Sequence, residues 1–275
     1  MKKKIALITG ASSGIGKATA KKLLKDGFIV YAAARRLKMM DDLSELGAKV
    51  IKMDVTDDAS MTLGVKRIIE EQGQIDVLIN NAGYALHGAV EDVPIDEVKR
   101  QLNVNVVGPA RLIQLCTPYM REKRYGKIIN VSSVAGKIYS PIGAWYYASK
   151  HAIEGMSDCL RLELKPFNID VIIIEPGLIK TDILGITVKN AAEYSAKGAY
   201  KKMAVLIGEV LESIEKYGSK PEVIANTISK AIKARKPKAR YAKGRLSKIS
   251  LFAFKWLPDK LFDYIYYKQY LKRSK

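Results

Sequence analysis

The sequence predicts an α/β protein with a doubly wound parallel sheet of about seven strands and helices on both faces, formed by a single domain. Three observations support this prediction. Short runs of β-branched residues alternate with longer amphipathic stretches over the first 180 residues. The first of these runs leads directly into a glycine-rich loop. The chain has 275 residues, of which 48% are apolar, so it can bury the core of one large domain.

Short hydrophobic runs define the predicted strands. They lie at residues 4–9, 29–34, 48–53, 76–80, 127–132 and 170–175, with a further strand at 239–244. Helices fill the intervals, and the longest are predicted at 96–121 and 145–166. Doubly wound sheets bind ligands at the carboxyl ends of their strands. Functional residues are therefore expected directly after each strand.

Composition excludes several classes of protein. No uncharged apolar run reaches the roughly 18 residues that a membrane-spanning helix requires. The N-terminal segment also turns into the glycine loop too early to serve as a signal peptide. The two cysteines, Cys116 and Cys159, form neither a disulfide framework nor a metal-ligand pattern. We therefore expect a cytoplasmic protein without a metal site.

The basic charge is concentrated near the C-terminus. The formal net charge is +19, and residues 220–275 hold 16 of the 47 basic residues but only 3 of the 28 acidic ones. Such a segment suits nucleic acid, anionic lipid or a phosphorylated cofactor, or it forms a solvated surface. The sequence contains no recognisable nucleic-acid recognition module, so we expect no nucleic-acid partner.

The loop after the first strand has the spacing of a dinucleotide-binding turn. Gly10, Gly14 and Gly16 open a predicted helix that continues to Lys25. Glycines let the backbone approach a pyrophosphate, and the helix N-terminus offers free N–H groups. A simple tight turn would use the same residues, but the preceding strand and following helix favour a dinucleotide. The candidate cofactor residues in this loop are Gly10, Ser12, Ser13, Gly14, Ile15 and Gly16.

The residues after the second strand indicate which dinucleotide is bound. An acidic residue at this point would accept hydrogen bonds from a ribose 2′-hydroxyl, whereas an arginine suits a 2′-phosphate. Ala34 leaves no acid here, and Arg35 and Arg36 follow it. Two arginines that begin a loop are also compatible with simple exposure to solvent. We favour NADP(H) as the cofactor.

The next two strands end in small and polar residues. Asp54 and Val55 follow the third strand, where the carboxylate is placed to accept from an adenine amino group. Asn81, Ala82 and Gly83 follow the fourth strand and offer a small, hydrogen-bonding surface beside the ribose. Ordinary turns would use the same residue types. These five residues are further candidates for cofactor binding.

A tyrosine and a lysine on one predicted helix are candidates for acid–base chemistry. Tyr146 and Lys150 are four residues apart, so both side chains lie on one helix face, where an ammonium lowers a phenol's pKa. The same spacing occurs in Tyr119 with Lys123 and in Tyr264 with Lys268. The spacing alone therefore does not identify the reactive pair.

In combination, these motifs resemble the short-chain dehydrogenase/reductase family. The motifs are TGASSGIG (9–16), NNAG (80–83), Asn105, SS (132–133), YYASK (146–150) and PGLIKT (176–181). The resemblance covers roughly residues 3–240 and implies a Rossmann-type, nicotinamide-dependent oxidoreductase with an Asn-Ser-Tyr-Lys tetrad. The implied tetrad is Asn105, Ser133, Tyr146 and Lys150. The family's serine precedes its tyrosine by thirteen residues, which selects Ser133 and Tyr146.

The resemblance gives each member of the tetrad a role. Tyr146 acts as the acid or base, and Lys150 lowers its pKa. Ser133 polarises the substrate oxygen through a hydrogen bond. Asn105 is a poor helix former within a predicted helix, which indicates a local kink that frees backbone groups for a proton relay. We assign no role to His87, expected in an exposed loop, or to His151, expected to point away from Lys150.

The predicted catalytic domain spans 1–245 and continues beyond the sixth strand. Pro176 and Gly177 end that strand, and Ile179 and Thr181 are expected near the nicotinamide carboxamide. Residues 182–218 resemble the family's substrate lid. Family members commonly pair through their long helices, so we expect a homodimer or homotetramer.

The C-terminal extension, residues 246–275, is basic and aromatic. It holds three of the five phenylalanines, one of the two tryptophans and four tyrosines among spaced lysines, a composition that suits peripheral contact with a membrane. Alternatively, two amphipathic pieces divided near Pro258 pack on the domain or on a partner subunit. The absence of one continuous apolar stripe favours packing over membrane contact.

These observations predict an NADP(H)-dependent oxidoreductase that interconverts a secondary alcohol and a ketone, or a primary alcohol and an aldehyde. The extension and the end of the active-site helix resemble relatives that handle lipophilic steroids, retinoids or long-chain carbonyls. Two alternatives remain open: a reductase of 3-oxoacyl compounds, and a non-catalytic NADP-sensing protein of the same fold.

Overall fold

The computed structural model describes residues 3–181 and 183–273. Residues 1–2, 182 and 274–275 lie outside the described residues; they belong to the predicted catalytic domain, lid and C-terminal extension. In the two described ranges, no helix combines the length and apolar character that crossing a membrane requires.

A seven-stranded sheet in which every neighbouring pair is parallel forms the centre of the molecule. Its order along the sheet is β3-β2-β1-β4-β5-β6-β7. The strands are β1 (Ile5–Thr9), β2 (Ile29–Ala34), β3 (Lys49–Lys52), β4 (Val77–Asn80), β5 (Gly126–Val131), β6 (Ile169–Pro176) and β7 (Arg240–Lys243). The order reverses direction between β1 and β4, which places the crevice for a ligand at their carboxyl ends. The doubly wound fold predicted from the sequence is confirmed.

Helices cover both faces of this sheet. They are α1 (Gly14–Lys25), α2 (Asp41–Glu45), α3 (Asp58–Gln72), α4 (Ile95–Leu102), α5 (Gly108–Glu122), α6 (Ala144–Leu164), α7 (Ile183–Ser195), α8 (Lys201–Tyr217), α9 (Glu222–Lys233), α10 (Ser247–Trp256) and α11 (Asp259–Arg273). Strand side chains alternate between the faces, so Ile8 packs with α1 and α9 while Leu7 packs with α3 and α5. The two resulting apolar layers hold the strand ends in fixed positions.

The helix predicted at 96–121 is interrupted where the sequence indicated a kink. Residues Asn103–Val107 form a π-helical turn between α4 and α5. The buried Asn105 lies in this turn and binds the main chain of Tyr84 instead of continuing a regular helical surface. Wider turns of this kind are frequent at functional sites.

The predicted lid and the extension are both helical. In the lid, Ala191 of α7 and Ile207 of α8 pack with Ala89 and Ile142. In the extension, α10 and α11 are separated at Pro258, which cannot donate a main-chain hydrogen bond to continue a helix.

Candidate active site

Ser133 lies directly after β5, at the carboxyl edge of the sheet. Its extended backbone lets the hydroxyl accept a hydrogen bond from the amide of Ala135 at 3.1 Å. The hydroxyl also bonds the phenol of Tyr146. The neighbouring Ser132 is buried, and its hydroxyl has no hydrogen-bond partner in the described part of the chain. Strand alternation thus directs one serine toward Tyr146 and the other into the interior.

Helix α6 brings Tyr146 and Lys150 to the same edge. The Lys150 ammonium lies 5.8 Å from the centre of the Tyr146 ring and donates to the main-chain oxygen of Val131 at 3.0 Å. Lys150 is only 8% exposed, and the stem of its side chain passes through the interior. Ser133, Tyr146 and Lys150 therefore form one cluster.

Burial controls both pKa values in this pair. Burial raises the pKa of Tyr146, and the hydrogen bond with Ser133 only partly offsets that effect. Burial also lowers the pKa of Lys150 to about 8, against the attraction of the Glu154 carboxylate. Burial therefore sets the direction of the Tyr146 shift in this structure, and the expectation that the Lys150 ammonium lowers the pKa of that phenol stays a prediction.

The two other pairs with the same spacing lie elsewhere. Tyr119 is 37% exposed on α5, and Lys123 forms an ion pair with Asp76 at 2.5 Å. Tyr264 is 57% exposed on α11, with Lys268 beside its ring. Neither tyrosine contacts Ser133, so the structure distinguishes Tyr146 from both of them.

Asn105 fixes the loop that follows β4. Its amide nitrogen donates to the main-chain oxygen of Tyr84 and to the hydroxyl of Ser149, each at 3.0 Å. Its amide oxygen accepts from the main-chain nitrogen of Tyr84 at 3.2 Å. A side chain at Gly83 would lie 3.1 Å from this amide oxygen and 3.9 Å from the Lys150 ammonium. Asn105 therefore lies near Lys150. Its side-chain hydrogen bonds are made with Tyr84 in the loop after β4 and with Ser149 of α6.

The glycine loop forms a cradle at the N-terminus of α1. Gly10 and Gly14 have positive φ angles, and a Cβ at Gly16 would lie 2.3 Å from the Gly10 carbonyl oxygen. Ser13 begins the helix without a side-chain cap, and no acidic residue occupies the first turn. Ser12 is buried and Ile15 packs against the core. Uncapped N–H groups at a glycine-rich loop fit the pyrophosphate of a dinucleotide.

Charged residues lie at the ends of β2 and β3. Arg35 has a side chain 65% exposed, and its guanidinium is 3.9 Å from the carboxylate of Asp54. Hydrogen bonds from Thr56 and the charge of Arg35 lower the pKa of Asp54 against the effect of burial. Arg36 instead donates to the Ser12 hydroxyl at 3.3 Å. Both arginines are exposed, and the contact of Arg36 with Ser12 brings a guanidinium beside the glycine loop, which fits a 2′-phosphate.

The residues after β3 and β4 are in contact with the strand ends. Val55 is buried against the start of α5, where a Cβ at Gly108 would lie 2.2 Å from its carbonyl oxygen. Asn81 donates its amide to the main-chain oxygen of Thr9 at 3.0 Å, and Ala82 donates its N–H to the Thr9 hydroxyl at 3.0 Å. These bonds join β4 to β1 under the cradle.

The segment after β6 crosses the same edge. Gly177 follows Pro176 and donates to the Lys243 oxygen at 2.8 Å, and a Cβ here would lie 2.3 Å from the Arg245 oxygen. Ile179 is buried. The Thr181 methyl lies 3.2 Å from where a Cβ of Gly14 would be, so the segment borders the cradle.

His87 is a site residue that the sequence analysis missed. Its imidazole is 5.9 Å from the Tyr146 ring, centre to centre, and not in an exposed loop as expected. Burial lowers its pKa to about 4, so the ring is neutral at pH 7. Its Nδ1 atom has no hydrogen-bond partner within the described ranges. A single histidine four residues after NNAG has no spacing signal that distinguishes this placement. His151 is exposed, as expected.

A shallow groove of about 340 Å³ borders the lid and reaches Ala144, the first residue of α6. It runs between the loop after β4 and the loop before α6. Its lining is mainly apolar and includes Ala89, Ile142, Tyr200 and Met203, with Glu91 as a charged member. The groove offers room for an apolar chain beside the start of α6, the helix that carries Tyr146.

The sequence matches known proteins along most of its length. Residues 4–192 match the family described as short chain dehydrogenase. A 3-ketodihydrosphingosine reductase from Bacteroides thetaiotaomicron is 38% identical over 266 residues, which cover 96% of this chain and 97% of that protein. An NADPH-dependent 3-dehydrocapnine reductase from Ornithobacterium rhinotracheale is 34% identical, with 97% of each chain covered.

The fold is also similar to solved structures. A short-chain dehydrogenase from Streptomyces avermitilis superposes with a TM-score of 0.80 at 28% identity, covering all of this chain and 99% of the other. These matches in sequence and fold are consistent with the cluster of Ser133, Tyr146 and Lys150 beside a glycine cradle. The chain belongs to the short-chain dehydrogenase/reductase family of oxidoreductases.

Proposed function

We propose that this protein is an NADP(H)-dependent reductase of a long-chain ketone, with 3-ketodihydrosphingosine as the first candidate substrate. The observation that carries the proposal is the hydrogen-bonded pair of Ser133 and Tyr146, together with an apolar groove that reaches Ala144 on the same helix as Tyr146. Two relatives matched over nearly their whole lengths are named for reduction of a 3-keto or 3-dehydro compound. We further propose that the protein is cytoplasmic.

The proposed reaction needs a hydride, a proton and a polarised carbonyl. The glycine cradle would hold the pyrophosphate of the dinucleotide, whose nicotinamide would supply the hydride for the carbonyl carbon. Ser133 donates a hydrogen bond to the carbonyl oxygen, and the Tyr146 phenol transfers its proton to that oxygen as the alcohol forms. Lys150 stabilises the resulting phenolate by its positive charge. Asn105 lies beside Lys150 at the point where a relay would return the proton.

The groove favours a long apolar substrate over a small ketone. Burial of apolar substrate surface against its side chains contributes about 25 cal/mol of binding free energy for each Å² removed from water. Glu91 adds a carboxylate that suits an ammonium group, and it already accepts a hydrogen bond from Tyr200. A long-chain 2-amino ketone such as 3-ketodihydrosphingosine satisfies both features.

The substrate class is tested by a panel assayed with NADPH. The panel contains 3-ketodihydrosphingosine, the same chain without the amine, a short ketone and a 3-oxoacyl thioester. We expect the highest kcat/KM for the amino ketone. A preference for the thioester would instead assign the alternative 3-oxoacyl activity, and binding of NADPH without turnover of any compound would indicate a sensor.

Arg35 is expected to set the choice of cofactor. Replacing Ala34 with Asp and Arg35 with Ala removes the guanidinium and adds a carboxylate that repels a 2′-phosphate. We expect the ratio of kcat/KM for NADPH over NADH to fall at least about tenfold, or roughly 1.4 kcal/mol. Equal use of both cofactors by the unaltered protein would contradict the assignment. Lys38→Ala, in the same loop, serves as the control for simple loss of charge.

The low pKa of Lys150 predicts an alkaline limit to activity. A lysine with a pKa near 8 is charged below that pH and neutral above it, so kcat is expected to fall as the pH rises through about 8. Glu154→Gln removes the anion that stabilises the positive charge of Lys150. The alkaline limb of the pH profile of kcat is expected to move roughly one unit to lower pH in this variant. Glu163→Gln removes the same charge from the exposed face of α6 and is expected to leave the limb in place. Identical profiles for the two variants would exclude Glu154 as a positioning residue.

A further inference from the structure

Helix α10 presents its apolar residues to solvent. Ile249, Phe252 and Trp256 are 69%, 69% and 66% exposed. Their spacing of three and four residues aligns them in one stripe along the helix. A helix on the surface of a domain ordinarily buries such a stripe. The exposure of the stripe became visible only in the structure, because the sequence does not show which face of α10 packs on Tyr139.

Basic residues border the stripe. Lys248 and Lys255 are exposed on the same side of α10, and the helix contains no acidic residue. The Lys255 ammonium lies 5.4 Å from the centre of the Trp256 ring, beside the apolar surface. A second copy of this face would bring like charges together, whereas an anionic surface is complementary to it. Aromatic and aliphatic side chains flanked by lysines match the boundary of an anionic bilayer.

The opposite face of α10 is firmly attached near the active site. Ser247 is buried and its hydroxyl donates to the Gly244 oxygen at 2.9 Å. The Phe254 ring contacts the rings of Tyr139 and Phe262 at 5.5 and 5.3 Å, and the Tyr139 hydroxyl donates to Asp263 at 2.9 Å. Tyr139 belongs to the loop between Ser133 and α6. The exposed stripe is therefore held in a fixed orientation beside the rim of the site.

We propose that the outer face of α10 docks this protein on an anionic membrane surface, with Ile249, Phe252 and Trp256 in the headgroup boundary. Docking through a helix attached to the loop before α6 brings the groove close to the bilayer. A long-chain ketone then reaches Tyr146 from the membrane without crossing water; this second step rests on the proposed function. The docking itself does not depend on the substrate.

Vesicle sedimentation tests the docking with the full chain and no substrate. We expect binding to vesicles of phosphatidylcholine mixed with phosphatidylglycerol, weaker binding to phosphatidylcholine alone, and a loss as salt is raised. The double variant Ile249→Ser/Phe252→Ser is expected to bind the anionic vesicles at least about tenfold more weakly. Leu46→Ser/Leu63→Ser removes two apolar residues that are 54% and 66% exposed on other surfaces and is expected to bind normally.

Two results would overturn the docking proposal. One is equal vesicle binding by both double variants. The other is a wild-type oligomer in light scattering that the α10 variant alone dissociates, because the stripe would then be an interface between copies. Turnover of a short, water-soluble ketone is expected to be unchanged in the α10 variant, which shows that it is folded. Failure of the proposed function would leave the vesicle result unaffected, so the two failures are distinguishable.

Discussion

Tyr146→Phe is expected to reduce kcat at least about a hundredfold, because general acid–base catalysis contributes roughly 10²–10⁴ to such reactions. The substitution removes only the phenol oxygen that bonds Ser133, and the ring keeps its contacts with His87 and Tyr147. The glycine cradle is untouched. The dissociation constant for NADPH is therefore expected to stay within about a factor of three, less than 1 kcal/mol.

Tyr147→Phe is the matched control for this variant. It removes a phenol from the neighbouring position of the same helix, and we expect kcat to remain within about threefold of wild type. Steady-state assays and NADPH titration by fluorescence give both quantities. A Tyr146→Phe enzyme that kept more than about a tenth of the wild-type rate, a loss below roughly 1.4 kcal/mol, would remove Tyr146 as the proton donor.

Gly16→Ala is expected to weaken NADPH binding at least about tenfold, or roughly 1.4 kcal/mol. The new Cβ would lie 2.3 Å from the Gly10 oxygen and 2.5 Å from the amide nitrogen of Asn81, so the cradle must shift. Overpacking of this kind costs about 1–3 kcal/mol, part of which is expected to appear as lower stability to urea.

Gly155→Ala is the control for the same chemical change. Gly155 lies on the exposed face of α6, and a Cβ there would meet no atom within 4 Å. Alanine in a helix is favoured over glycine by about 0.5–1 kcal/mol, so this variant is expected to gain stability and bind NADPH normally. Normal NADPH affinity in Gly16→Ala would contradict the assignment of the cradle.

The sequence allowed the sheet, the cradle and the serine–tyrosine–lysine cluster to be predicted, because each depends on short-range patterns. Alternating apolar runs define strands, and glycine spacing defines the turn after β1. The interruption at Asn105 was also predictable, since asparagine is a poor helix former. Tyr146 could be distinguished from Tyr119 and Tyr264 only through the family resemblance. The structure gives the physical reason, because both alternatives are exposed whereas Tyr146 is hydrogen-bonded with Ser133.

Other features depend on long-range packing that no local pattern encodes. His87 is buried because loops distant in sequence cover it, including the loop that contains Gly143, where a Cβ would lie 3.2 Å from its Nε2 atom. The pKa of Tyr146 rises because the effect of burial exceeds that of the hydrogen bond with Ser133. The outward stripe of α10 follows from which face of the helix packs on Tyr139. Each outcome is a balance of tertiary contacts.

Hydride transfer to 3-ketodihydrosphingosine is the most direct test of the central claim. The protein is incubated with this ketone and NADPH deuterated at the transferable position, and the products are analysed by mass spectrometry. We expect dihydrosphingosine with deuterium on the new carbinol carbon and an equal amount of NADP⁺, with neither product formed by Tyr146→Phe. An unchanged ketone, or product formed equally by Tyr146→Phe, would contradict the account.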